Sequence, residues 1–257
     1  MELTHQLTPM LRTLRLSGIL ETLEVRNRQA IEQQSSFVEF LTTLLHDEVE
    51  RRAQSKLRSR LRRAAFDPTK TLEGFDFSFN PQLNKAQLFD LATCAFIARH
   101  ENVLIYGPTG VGKSHVSQAL AHEACRRGHE VLFINTTKML THLAGGRADG
   151  THEQRLARYT RPALLVLDDF GLKALRAPGP EELYDVINER YEKASIVLTS
   201  NRDRSEWPEL FGEALLASAA LDRLTHGAHF VEITGHSFRA EHTKKQLTAQ
   251  RRGKTGS

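Results

Sequence analysis

The run Gly107-Pro108-Thr109-Gly110-Val111-Gly112-Lys113-Ser114 has the residue types and the spacing to hold a phosphate group. Its glycines let the backbone curl until successive amides face the β- and γ-phosphates. Lys113 adds a positive charge to those oxygens, and the Ser114 hydroxyl is a ligand for magnesium. A short apolar run at 103–106 precedes it and an amphipathic pattern over 113–127 follows, as a strand feeding a helix N-terminus requires. The cofactors implied are ATP and Mg²⁺. A second candidate is Leu164-Leu-Val-Leu-Asp168-Asp169, an apolar strand ending in two carboxylates. A buried parallel strand delivers its C-terminal residues to the crevice where ligands bind. Asp168 is thereby suited to hold Mg²⁺ together with Ser114, and Asp169 to orient or deprotonate the attacking water. The plainer use of such a pair, capping a helix after a core strand, is outweighed by the phosphate loop upstream. Two further residues keep two readings each. Asn201, beyond the apolar run 196–198, either starts a turn or positions a water, because an amide donates and accepts at once. Arg223, in Asp222-Arg223-Leu224 after the helical stretch 213–221, is either half of a surface ion pair or an arginine finger reaching a neighbouring subunit's γ-phosphate.

These residues need a scaffold, and the apolar pattern supplies one. Runs at 103–106, 131–134, 164–167, 196–198 and 230–233 read as strands separated by helical stretches, the signature of a mostly parallel sheet covered on both faces. Residues 83–240 form this domain. Residues 1–65 read as helices, with Leu7, Leu11, Leu14, Ile19, Leu20 and Leu23 at helical spacing. Ser36-Phe-Val-Glu39 is a capping box that opens a helix whose stripe is Phe37, Phe40, Leu41, Leu44 and Leu45. That helix runs into Arg51, Arg52, Lys56, Arg58, Arg60, Arg62 and Arg63 with no acidic residue among them, a cluster suited to nucleic-acid phosphates or to self-assembly. Residues 66–82 are the linker, in which the alternation of Phe75, Phe77 and Phe79 predicts an extended segment packed on the next domain. Residues 241–257 form a basic tail with Lys244, Lys245, Arg251, Arg252 and Lys254.

Composition bounds the rest. The 257 residues are 40% hydrophobic and 26% charged with a net charge of +4, an ordinary globular balance. No apolar run is long enough to span a bilayer, and the N-terminus lacks the basic and apolar regions of a secretory signal. The two cysteines, Cys94 and Cys125, fall in apolar helical patterns and read as buried reduced thiols, consistent with the cytoplasm.

The chain resembles the IstB family of AAA+ ATPases, which assist the IstA transposase of insertion sequences. The resemblance is carried by Thr71-Leu-Glu-Gly-Phe-Asp-Phe77, Asn201-Arg, Glu206-Trp207, Leu210-Phe-Gly, Leu221-Asp-Arg-Leu224-Thr-His226 and Gly235-His-Ser-Phe-Arg239, and spans residues 70 to 240. It implies a five-stranded AAA+ P-loop sheet behind a small all-helical N-terminal domain. It also implies ATP-dependent homo-oligomers, joined through the ATP site, that bind duplex DNA and recruit or activate the transposase. By the same resemblance Arg223 is the arginine finger and Arg239 a second nucleotide-sensing arginine. The resemblance further implies a helix around 138–147 that lines a DNA-contacting surface, which makes Lys138 and Arg147 candidates. Two departures matter. Only a short segment follows the last strand at Ile233, too little for the helical lid of many AAA+ proteins, as in the loader-like families, so no C-terminal helical lid is expected. Family members commonly end the third strand in Asp-Glu, whereas this chain has Asp168-Asp169. The shorter side chain predicts slow hydrolysis, because misplacing a reacting group by about 1 Å can cost on the order of a hundredfold in rate.

The mechanism expected is nucleotide acting as glue between protomers, with DNA held along the assembled basic surface by phosphate contacts and therefore in a salt-sensitive way. The nearest rival is a DnaC-type replicative helicase loader, which shares the ATPase core and differs in its partner. A small-molecule kinase needs an arginine-bearing lid and a substrate pocket, and neither signal is present. A scaffold that binds nucleotide without hydrolysing it is kept open by Asp169.

Overall fold

Helical apolar spacing in the N-terminal region produces α1 (Glu2–Thr13), α2 (Ser17–Glu32) and α3 (Phe37–Ala64) in a computed structural model that describes residues 2–238. The chain divides into two compact units, Met1–Ser59 and Arg60–Ser257. In the first, the capping box closes as expected. The Ser36 amide donates to Glu39 Oε2 at 2.7 Å, and the Glu39 amide donates to Ser36 Oγ at 3.3 Å. Polar contacts join α2 to α3. Arg26 donates twice to the Asp47 carboxylate, both at 2.8 Å, and the buried Glu48 accepts from the Gly18 amide and from Arg52 Nε, each at 2.6 Å. The apolar stripe of α3 is not the core expected of it. Leu44 is buried, but Phe37, Leu41 and Leu45 are exposed.

In the second unit the segment before the sheet is a series of turns rather than extended chain, followed by α4 (Lys85–Ala92) and the short α5 (Ala95–Ala98). Asn84 caps α4 by accepting from the Gln87 amide. Cys94 occupies the left-handed turn between the two helices, not a helix interior, and both cysteines are buried and free. Burial pushes both thiols up to about 11. Then come β1 (Val103–Tyr106), α6 (Lys113–Arg126), β2 (Val131–Asn135), α7 (Thr136–Asp149), α8 (His152–Thr160), β3 (Leu164–Phe170), α9 (Gly179–Arg190), β4 (Ser195–Ser200), α10 (Ala214–Thr225) and β5 (His229–Glu232). All pairings are parallel, in the order β2-β3-β4-β1-β5. Leu164, Leu165, Val166 and Leu167 are fully buried, as a parallel strand covered on both faces must be. Because β4 lies between β1 and β3, whatever ends β4 must sit between the loop after β1 and the carboxylates after β3. The expectation of no helical lid concerns residues after β5 and falls largely outside the described ones, as do Arg239 and the basic tail. No helix among the described residues is long and apolar enough to cross a membrane.

Candidate nucleotide site

The run after β1 adopts the curl its glycines allow. Gly107 has φ +142°, and a Cβ there would collide with the Ile233 carbonyl at the end of β5. Gly112 has φ +103° and begins α6, and a Cβ on it would meet the Phe75 ring at 2.9 Å. Lys113 is buried, and its Nζ donates to the Pro108 carbonyl at 2.6 Å, which keeps the ammonium within the loop. The loop forms one side of a cleft of about 830 Å³, lined also by Asp168, Asp169, Asn201 and Phe238.

The remaining wall comes from the segment read as a linker. Lys70, Gly74, Phe75, Asp76, Phe79 and Asn80 all line the cleft. Asn80 Nδ2 donates to the Val111 carbonyl at 2.8 Å, and His115 Nε2 on α6 bonds the Thr71 carbonyl at 2.9 Å. Phe75 meets the rings of Phe77 and His115 edge-on at 5.0 and 5.2 Å, and Phe79 meets Phe238 at 5.1 Å. The aromatic alternation therefore marks a cleft wall built of turns rather than an extended segment, a role that its spacing does not encode.

Both carboxylates reach the same cleft because β3 is irregular at its end. In a regular strand successive side chains point to opposite faces. Here the pairing of β3 with β4 shifts between Leu167 and Phe170, so that three steps on β3 match two on β4. Asp169 takes the extra step with φ +57°, a left-handed conformation that aspartate tolerates better than most residues. Asp168 Oδ1 accepts from Ser114 Oγ at 2.9 Å and from Thr199 Oγ1 at 2.5 Å. Burial raises the pKa of Asp168 above its ordinary value and neighbouring Asp169 adds to the rise, against the donors of Thr199 and Ser114. The Ser114 hydroxyl and a buried carboxylate side by side are hard oxygen ligands of the kind Mg²⁺ takes, so the residues present fit that ion.

Thr199 was not anticipated. Besides donating to Asp168 it accepts from the Asp169 amide at 3.0 Å, so one hydroxyl holds both acidic residues. Asn135, at the end of β2, is a second unanticipated residue. Its Oδ1 accepts from the amides of Thr137 and Lys138, capping α7, while its Nδ2 donates to Asp169 Oδ2 at 3.2 Å. Asn201 does line the cleft. Arg223 does not. It lies on the last turn of α10 beside Tyr191 and His226, in a separate hollow.

The basic candidates divide into engaged and unengaged groups. Arg51 pairs with Glu21 at 3.2 Å and Arg52 with Glu48 at 2.6 Å. Arg60 donates to the Cys125 carbonyl at 2.9 Å, and Arg63 pairs with Glu130 at 2.9 Å. Lys56, Arg58 and Arg62 are exposed and make no ion pair among the described residues. Lys138 is likewise exposed at the start of α7. Arg147 is committed elsewhere: its Nε donates to the fully buried Glu182 at 2.5 Å.

A parallel sheet of this order, a glycine-rich loop leading into α6 and an acidic pair on the third strand define an AAA+ P-loop nucleotide-binding protein. Residues 9–246 match the model of the IstB-like ATP binding proteins, and the chain belongs to that family. A relative from Mycobacterium tuberculosis, described as an ATP-binding protein in an insertion sequence, is 44% identical over 89% of this chain and 92% of its own length. Another from Pseudomonas aeruginosa, described as an ATP-binding protein of insertion sequence IS21, is 36% identical over 94% of this chain and 91% of its own. Among solved structures, AMPPCP-bound DnaA from Aquifex aeolicus aligns with TM-score 0.52 and 25% identity over 72% of this chain and 56% of that one. DnaA bound to AMPPCP and single-stranded DNA aligns with TM-score 0.53 and 25% identity over the same shares. DnaI shares the fold, with TM-score 0.54 and 23% identity over 69% of this chain and 94% of its own.

Proposed function

We propose that the protein is a Mg²⁺-dependent ATPase of insertion-sequence transposition that assembles on duplex DNA and recruits or activates an IstA-type transposase. The observation that carries the ATPase part is the convergence of Lys113, Ser114, Asp168 and Asp169 on one cleft. In this reading the loop amides and Lys113 bind the β- and γ-phosphates. Ser114 and Asp168 hold Mg²⁺, whose role is to neutralise phosphate charge. Asp169 accepts the proton of the attacking water, and Asn201 orients that water. Phe75 and Phe79 offer the apolar, polarisable surface that a purine base prefers. Arg223 lies outside its own protomer's cleft, which supports a role at a neighbour's, with the nucleotide joining subunits. Lys56, Arg58, Arg62 and Lys138 supply positive charge for DNA phosphates. The insertion-sequence setting of the relatives supports the transposase as partner.

The deciding experiment titrates ATP turnover against protein concentration, with and without duplex DNA, for the parent chain and Lys113→Ala. Turnover that rises steeply with concentration and with DNA, and is lost in the variant, is the expected result. Absence of nucleotide uptake in the presence of Mg²⁺ sinks the reading. Affinity capture from cells carrying the insertion sequence should return the transposase; a replicative helicase in its place overturns that assignment.

A further inference from the structure

Arg223 is half-buried, yet it makes no ion pair among the described residues. Several arginines of the chain face carboxylates: Arg26 faces Asp47, Arg155 faces Asp149 and Arg147 faces Glu182. Arg223 instead faces two aromatic rings. Its guanidinium carbon lies 5.5 Å from the ring centroid of Tyr184 and 5.9 Å from that of Tyr191. One nitrogen, Nη1, donates to the Ala219 carbonyl at 2.9 Å. Tyr184 belongs to α9 and Tyr191 immediately follows it, while Arg223 lies on the last turn of α10. Tyr191 is itself steadied, its hydroxyl lying 3.1 Å from Nδ1 of His226.

The difference between a carboxylate and a ring is chemical. A carboxylate cancels the charge of an arginine and occupies its donors. An aromatic face attracts the cation through its quadrupole but carries no net charge and accepts no strong hydrogen bond. A guanidinium has five N–H donors, and apart from the Nη1 bond those of Arg223 have no hydrogen-bond partner among the described residues. The result is a side chain held in place while its charge and most of its donors stay available to an anion. Arginine is rotamer-rich, so restraining it before the anion arrives removes part of the ordering cost of the encounter.

We propose that Tyr184 and Tyr191 are positioning residues that present Arg223, un-neutralised, to the phosphates of a nucleotide bound by an adjacent protomer, with His226 steadying Tyr191. The inference rests on the reading of Arg223 as a residue that acts in trans. It differs from simple packing between α9 and α10 because its effect must follow the protomer that donates the arginine.

That polarity is the test. A Lys113→Ala protomer lacks a working cleft but keeps Arg223, and an Arg223→Ala protomer has the cleft but lacks the arginine. Mixed, the two should recover turnover that neither shows alone. Adding Tyr184→Leu and Tyr191→Leu to the Lys113→Ala protomer should cut the recovered turnover about tenfold, from about two- to fivefold per ring. The same pair added to the Arg223→Ala protomer should leave the recovered rate within about twofold. Tyr184→Phe with Tyr191→Phe keeps both rings and should rescue most of the loss, with thermal melting confirming that each variant folds. Equal loss from both placements, or phenylalanine variants as poor as the leucine ones, overturns the proposal while leaving the role of Arg223 intact. Turnover by Arg223→Ala alone, or no recovery in the parent mixture, sinks the in-trans reading beneath it.

Discussion

Thr199→Val tests the cleft at a point where geometry alone makes the claim. Valine keeps the shape of threonine but removes the hydroxyl that donates to Asp168 at 2.5 Å and accepts from the Asp169 amide at 3.0 Å. Thr199 is itself fully buried, so water cannot replace the lost partners without repacking. A hydrogen bond to a charged group is worth about 1.5–3 kcal/mol, and an orphaned buried amide costs about 1–3 kcal/mol. With partial relaxation the sum is about 3–5 kcal/mol. At about 2–4 °C per kcal/mol for a domain of this size, melting should fall by roughly 6–20 °C. ATP turnover should fall further than ATP affinity. Affinity is carried mainly by the loop at 107–114, whereas an acidic group displaced by about 1 Å can cost on the order of a hundredfold in rate. The assay is steady-state hydrolysis beside a fluorescent-nucleotide titration and a thermal melt, with Thr199→Ser, which restores the hydroxyl, as the control. A valine variant that melts within about 2 °C of the parent and turns over within about threefold would show that the hydroxyl organises neither carboxylate.

The remaining predictions probe other parts of the chain. Asp169→Asn keeps the shape of the site but removes the proton acceptor, so turnover should drop by about a hundredfold or more while nucleotide affinity, measured by calorimetry, stays put. Reversing charge at Lys56, Arg58 and Arg62 should weaken duplex binding and reduce the slope of log affinity against log salt by up to about 2.7, at about 0.9 per phosphate contact, without altering nucleotide affinity. The Arg26 side chain, through its hydrogen bonds, lowers Asp47 from 3.8 to about 2. Because the folded-state value is the depressed one, the stability from this pair is complete above the unfolded value of 3.8 and is lost as pH falls through about 2. The melting difference between the parent and Arg26→Gln should therefore be constant near neutrality and close in strong acid.

What could be read from the residues, and what could not, divides along a physical line. The phosphate loop and the five strands are local: three glycines with a lysine and a serine, and apolar runs too short for helices, carry their meaning within a few positions. The role of Thr199 depends on β4 lying between β1 and β3, a fact of sheet order. Asp169 reaches the cleft only because the pairing of β3 with β4 slips, and no spacing within β3 encodes that. The basic stretch after Arg51 looked unopposed because its partners, Glu21 and Glu130, are distant in sequence. A local signal for the wall at 66–82 did exist. Asp67 accepts from the Thr69 amide at 3.0 Å and Asp76 from the Ser78 amide at 2.9 Å. Such side-chain bonds to the backbone two residues on are the turn chemistry of aspartate followed by threonine or serine. Weighed against the alternating phenylalanines, they favour turns over extended chain.

The same contacts give Arg147 a different place from the one the family resemblance implied. Asn135 uses the two ends of a single amide, one capping α7 and the other holding Asp169, so the start of that helix cannot shift without disturbing the carboxylate. α7 has 14 residues and so spans about 21 Å. At its far end Arg147 donates to Glu182, and His152 Nε2 lies 2.6 Å from the other oxygen of the same buried carboxylate. Glu182 belongs to α9, the helix that carries Tyr184 and is followed directly by Tyr191. Removing a partner from a fully buried carboxylate is costly, which makes this junction stiffer than an exposed ion pair. A contiguous set of contacts thus runs from the acidic pair in the cleft, along α7 and across Glu182, to the rings over Arg223. The arginine and the carboxylates face different protomers' nucleotides in the proposed assembly, yet within one protomer they are carried by directly joined elements.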